Sequence, residues 1–293
     1  MKNSSDVLRR FLFEYAPLRG EIVRLDSVWQ SVIERHDYPP VLQKLVGELC
    51  AAAVLLAATL KLQGSMVLQI HGKGAVKLLV VECSGDLELR ATAKWEGDLA
   101  HGTLQELVGD GRFVITLDPK DGNQAYQGIV DLEGDSIAEI LQNYMTRSEQ
   151  LETRLWLAAD GKSAGGMLLQ KLPEQNEVPD EDAWGRATQI ADTLKPEELL
   201  NVPAAELVHL LYHEEDIRLF EAQAVVFRCT CSRGNVARML RMLGRDEVDA
   251  IIAERGDVEV HCEFCNERYV FDRVDADAAL VDVIAMSVNK TLH

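Results

Sequence analysis

The sequence predicts an α+β protein in three parts: a large mixed α+β core domain, a helical linker and a small cysteine-rich domain at the C-terminus. Short strand-like runs cut by glycines are grouped between helical segments and do not alternate strictly with them, as a mixed or antiparallel sheet requires. An acidic, proline-cut stretch follows residue 173, and two close cysteine pairs stand in residues 229–293. These shifts divide the chain into 1–173, 174–228 and 229–293.

Taken in order, Asp6 is expected to cap a helix running through Glu14, and Asp26 another through His36. Pro39-Pro40 halts the chain before an Ala/Leu-rich helix from Val41 to about Leu62. Its uncharged stretch, Leu49 to Leu60, falls short of the roughly 20 residues a bilayer span needs and reads as a buried core helix. Strands are expected at Met66–Ile70, Val76–Val81, Leu87–Thr92, Phe113–Leu117 and Tyr126–Leu132, spaced by Gly72, Gly74 and Gly85. Asp135 or Ser136 caps a helix through Ser148, and Leu151–Ala158 and Met167–Leu172 return as strands around Asp160-Gly161.

Of the 293 residues, 30 are Lys or Arg and 48 are Asp or Glu, for a net charge of -18. Such a surface repels phosphate backbones and anionic lipid, so neither nucleic acid nor membrane is an expected partner. From Glu174 to Phe220, 12 acidic residues face three basic ones, a net of -9. The same stretch carries Trp184, Ile190, Leu194, Leu199, Leu207 and Leu211 at helical spacing, with Pro179, Pro196 and Pro203 cutting it into short pieces. A solvated helical linker docked by one apolar face is the plain reading. The sharper reading is a linker of marginal stability, because short helices need tertiary support and dense like charge opposes compaction. No secretion signal opens the sequence, so the cytoplasm is expected, where clustered cysteines serve as metal ligands or redox devices.

Cys229-Thr230-Cys231 and Cys262-Glu263-Phe264-Cys265 stand 30 residues apart. Two close thiolate pairs from distant sequence match a tetrahedral zinc site, so the third part is read as a zinc-binding domain holding one Zn2+ on Cys229, Cys231, Cys262 and Cys265. Helices at Asn235–Leu243 and Asp246–Glu254 and a hairpin of Val258–Val260 with Tyr269–Phe271 surround it. A domain this small has a marginal core unless the metal staples it. A static zinc ribbon is the plain reading. Each pair is near enough in sequence to close a disulfide, however, and oxidised thiolates expel the ion, so the site can convert an oxidant into local unfolding.

Cys-Thr-Cys-Ser at 229–232, Glu-Val-Asp at 247–249 and His-Cys-Glu-Phe-Cys at 261–265 resemble the switch domain of the 33-kilodalton heat-shock chaperonin family, the redox-regulated holdases. Arg9-Arg10-Phe11-Leu12-Phe13-Glu14, Leu18-Arg19-Gly20-Glu21, Ala58-Thr59-Leu60-Lys61 and Tyr144 to Leu151 extend the likeness over nearly the whole chain. The resemblance implies a form that is inactive when reduced and zinc-bound. It further implies that oxidation forms Cys229–Cys231 and Cys262–Cys265 disulfides, releases zinc, unfolds the zinc domain and linker, and promotes homodimer formation. The resemblance implies a product that holds unfolded or partly unfolded client proteins without ATP.

Rival chemistries are weaker. His209 and His213 share a helix face, but Leu210 follows His209 where a zinc protease needs Glu, so an ordinary linker helix is expected. Cys50 and Cys83 lie in apolar contexts and read as inert. Cys262-Glu263-Phe264-Cys265 has the spacing of a thiol-disulfide oxidoreductase, yet that chemistry needs the pair at a helix start, and a strand is expected to follow. No phosphate-binding Gly-Lys-Ser/Thr loop is present, and no enzyme activity is expected. Residues 229–293 carry a net of -4 and offer no basic footprint for nucleic acid.

Overall fold

A computed structural model describes residues 5–60, 63–119, 124–173 and 182–288. The chain divides into two compact units, Met1–Arg228 and Cys229–His293. The first runs β1 (Val7–Phe13), β2 (Leu18–Leu25), α1 (Ser27–Ile33), α2 (Pro40–Thr59), β3 (Gly64–His71), β4 (Val76–Ser84) and β5 (Glu88–Trp95). It continues with α3 (Leu104–Val108), β6 (Arg112–Pro119), β7 (Tyr126–Val130), α4 (Ile137–Arg147), β8 (Thr153–Ala159) and β9 (Ala164–Lys171). Then follow α5 (Ala183–Ala191), α6 (Pro196–Asn201), α7 (Ala204–Leu211) and three short strands, β10 (Ile217–Leu219), β11 (Gln223–Ala224) and β12 (Val226–Phe227).

Two sheets result. One has the order β10-β1-β2-β9-β8, with β11 also on β1; the other has the order β12-β5-β4-β3-β6-β7. Every pairing is antiparallel except β12 on β5, which is parallel. Helix α2 touches β2, β8 and β9 of the first sheet and β3, β4 and β5 of the second, and it is buried from Leu45 through Ala57. Its sequence is apolar all round because it is a core helix; by length and composition it would pass for a membrane span, but 78% of that stretch is buried inside the protein.

The other face of the first sheet carries Phe11, Phe13, Leu18, Ile22, Met167 and Leu169, covered by Ala183, Ala187, Leu199, Leu200, Leu207, Val208 and Tyr212 of the segment following β9. The Tyr212 ring lies 5.0 Å from Phe13 and its hydroxyl donates to the Ala187 carbonyl at 3.1 Å. The apolar stripe of the expected linker is thus docked. Glu174, Glu177, Pro179, Asp180 and Glu181, at the start of that expected linker, lie outside the described residues, as does Leu62.

Three expectations are corrected. Val7–Phe13 is a strand, not a helix: its pairing with β2, β10 and β11 overrides the helix-like spacing of Leu8, Phe11 and Leu12. Asp6, at φ 68°, caps α1 across the sheet, its carboxylate accepting from the backbone N–H groups of Asp26 at 2.8 Å, Ser27 at 3.1 Å and Val28 at 2.9 Å. Asp26 itself makes no side-chain cap. Finally, the end of the segment expected to be a helical linker is not helical, because β10 and β11 extend the first sheet and β12 the second.

The second unit contains α8 (Arg233–Leu243), α9 (Arg245–Arg255), the hairpin β13 (Val258–His261) and β14 (Arg268–Phe271), and α10 (Arg273–Val288). Gly244 at φ 93° and Gly256 at φ 90° end α8 and α9 in the left-handed region that glycine tolerates.

Candidate metal centre

The four cysteines arrive from two backbone devices. Cys229 and Cys231 lie on the residues leading into α8, whose N-cap Ser232 accepts from the Asn235 N–H at 3.2 Å. The Asn235 side chain also donates to the Thr230 carbonyl at 2.9 Å, which fixes the residue between the two thiols. Cys262 and Cys265 sit in the turn of the β13–β14 hairpin. There the Cys262 N–H donates to the Glu267 carbonyl at 2.9 Å and the Asn266 N–H to the Cys262 carbonyl at 2.8 Å, with Asn266 at φ 56°. Asn is among the few side chains that accept this conformation readily.

These devices bring all four sulfurs within 4.8 Å of one another. Cys229 Sγ is 3.6 Å from Cys262 Sγ, and Cys231 Sγ is 3.3 Å from Cys265 Sγ. A tetrahedral zinc with bonds of about 2.3 Å places its sulfurs about 3.8 Å apart, so the donor set fits a zinc ion in type, number and spacing. Burial, with hydrogen bonds shared among the neighbouring thiols, pushes the Cys265 thiol up, against a backbone hydrogen bond at Glu267 that lowers it. The Tyr269 hydroxyl donates to Cys231 Sγ at 3.1 Å, an outer contact of the kind that orients a metal ligand. Sequence reasoning missed Tyr269 in this role; its register opposite Val260, one residue before His261, was the available signal.

Around the cluster the core is small. Val236, Leu240, Val248, Ile252, Val258, Phe271 and Ala276 are its buried apolar residues, with the Arg233 guanidinium 4.2 Å from the Phe271 ring centre. The remaining candidates stand apart from it. Cys50 and Cys83 are fully buried in the core of the first unit, and burial pushes the Cys83 thiol up to about 12 and that of Cys50 higher still, so neither is a reactive thiolate. His213 lies beyond the end of α7, its Nδ1 3.2 Å from the Leu210 carbonyl oxygen, so the helix-face pairing with His209 does not form. His261 is engaged with Glu259 at 2.7 Å. Among the described residues only the four cysteines gather as metal donors.

The Hsp33 protein family matches residues 6–272. A 33 kDa chaperonin of Methylobacillus flagellatus is 54% identical over 99% of both chains, and one of Chromobacterium violaceum is 52% identical over 97% of both. The crystal structure of a 33 kDa chaperonin of Thermotoga maritima superposes with a TM-score of 0.82 over 96% of this chain and 99% of that one; at 21% identity this likeness speaks for the fold. The chain belongs to the Hsp33 family.

Proposed function

We propose that the chain is a redox-regulated, ATP-independent holdase of the cytoplasm, inactive while reduced and loaded with one zinc ion on Cys229, Cys231, Cys262 and Cys265. The observation that carries this reading is the convergence of four sulfurs within 4.8 Å in a unit whose core has seven buried apolar residues among those described. Bound zinc would supply on the order of 10 kcal/mol of folding free energy and hold the thiols deprotonated.

In the proposed activation, two cysteine thiolates give two electrons to one peroxide, which takes up two protons from solvent, leaving one S–S bond and two waters; two such events consume all four donors. We assign the bonds to Cys229–Cys231 and Cys262–Cys265. The sulfur contacts at 3.6 Å between Cys229 and Cys262 and at 3.3 Å between Cys231 and Cys265 run across these pairs, and within-pair bridges would replace them. Bridges across the pairs would tie the folded unit together instead. Peptide mapping of the oxidised protein by mass spectrometry separates the two: within-pair bridges support the switch, and Cys229–Cys262 with Cys231–Cys265 would sink it.

On this reading residues 1–173 form the chaperone core, 174–228 the linker and 229–293 the switch. Helices α5 to α7 are short and lie on an apolar sheet face, so their release would bare Phe11, Phe13, Ile22, Met167 and Leu169 to unfolding clients. Dimer formation on oxidation would cover part of the same surface. Light scattering of a thermally unfolding protein tests the activity. Suppression by the oxidised chain alone, without ATP, is expected; equal suppression by reduced and oxidised chains would overturn the switch, as would none by either.

A further inference from the structure

We propose that the free edge of β7 is a strand-addition site for an extended, apolar segment of an unfolding polypeptide. This rests on the holdase reading above and assigns a place where clients are held. Strand β7 ends the second sheet, and among the described residues no strand pairs with its outer edge. Its sequence, Tyr126-Gln127-Gly128-Ile129-Val130, holds no charge and no proline, the two usual guards of an exposed edge. Tyr126 and Ile129 on this strand are 54% and 68% exposed.

The other sheet ends are treated differently. At β8, the Leu155 N–H donates to the Gln142 side chain at 2.8 Å, and Arg154 pairs with Asp192. Strand β12 is two residues long, and Arg228 beside it pairs with Glu88. Strand β10 is three residues long and carries Arg218, paired with Glu14. Among the described ends of these two sheets, the edge of β7 is the exception.

Side-chain room lies beside that edge. One cavity, near Tyr126, is lined by Leu56, Met66, Leu117, Met145 and Leu151; a second, near Val130, lies against Asn143 and Arg147 of α4; Tyr144 lines both. An added strand would satisfy the outward backbone groups of β7 with its own and turn alternate side chains toward these cavities, with the others beside Ile129. Backbone pairing beside one mainly apolar cavity and one polar cavity, the latter lined also by Asp131 and Glu133, selects extended chain without selecting a sequence, which suits a protein that holds many clients.

The test uses the full-length oxidised protein with p-benzoylphenylalanine at position 127, outward-facing beside Ile129, and carboxymethylated lactalbumin as a permanently unfolded probe. Photolysis is expected to join position 127 to the probe. Ile129→Lys is expected to cut both cross-linking and suppression of citrate synthase aggregation by roughly fivefold, with zinc content and thiol oxidation unchanged, while Ile129→Leu keeps both. Absence of probe cross-links, cross-links chiefly to a second copy of the chain, or an Ile129→Lys protein as protective as its parent would overturn the assignment. If the parent fails to suppress aggregation, the holdase reading fails; probe capture at position 127 would still support the edge as a peptide site.

Discussion

Leu240 is wholly buried at the centre of the cysteine-bearing unit. Replacing it with alanine improves helix propensity in α8, so the loss is one of packing alone, about 2–5 kcal/mol for a buried leucine. Against about 10 kcal/mol from bound zinc, the loaded unit is expected to stay folded. The reserve that keeps the reduced form closed shrinks, however, and 2 kcal/mol multiplies the open population about thirtyfold. Leu240→Ala should therefore bind zinc when reduced yet release it at lower peroxide or lower temperature than the parent, followed with a chromogenic zinc indicator. Met242, 89% exposed on the same helix, supplies the control: Met242→Ala should follow the parent curve. Identical release curves for Leu240→Ala and the parent would refute the idea that metal retention and the folding of this unit are one equilibrium.

Burial raises the Glu21 carboxyl to about 7, against opposition from the Arg19 and Arg10 guanidiniums. The folded state then binds the proton more tightly than the unfolded chain, so this group's contribution is intact below about pH 4.5 and falls by about 3 kcal/mol as the pH rises through 7. Glu21→Gln should remove that slope, gaining most over the parent near pH 8 in urea unfolding; parallel curves across pH 5–8 would contradict it. Asp6→Ala leaves three backbone N–H groups at the start of α1 without their acceptor and should cost about 1–2 kcal/mol, read as a lower urea midpoint. Tyr212→Ala removes a ring packed on Phe11 and Phe13 and should cost about 3 kcal/mol or more, with faster hydrogen exchange in residues 183–211 and unchanged protection in α2.

The gathering of the four cysteines was legible because its information is local: a Cys-x-Cys and a Cys-x-x-Cys each fit a tight backbone device. Gly244 and Gly256 close α8 and α9 by an equally local device. What was not legible depends on distant partners. The spacing of Leu8, Phe11 and Leu12 suits a helix as well as a strand, and only pairing with β2, β10 and β11 decides between them. Asp6 carries a capping side chain, but the helix it caps begins about twenty residues later. Strands β10 to β12 are too short to show a period of their own, and they exist because β1 and β5 offer them edges.

The most direct test of the redox switch measures zinc stoichiometry and client protection on one sample, before and after peroxide. About one zinc per chain with no protection, changing to zinc-free chains that keep citrate synthase from aggregating, is the predicted result. Zinc retained through oxidation, or lost without any gain in protection, would contradict it.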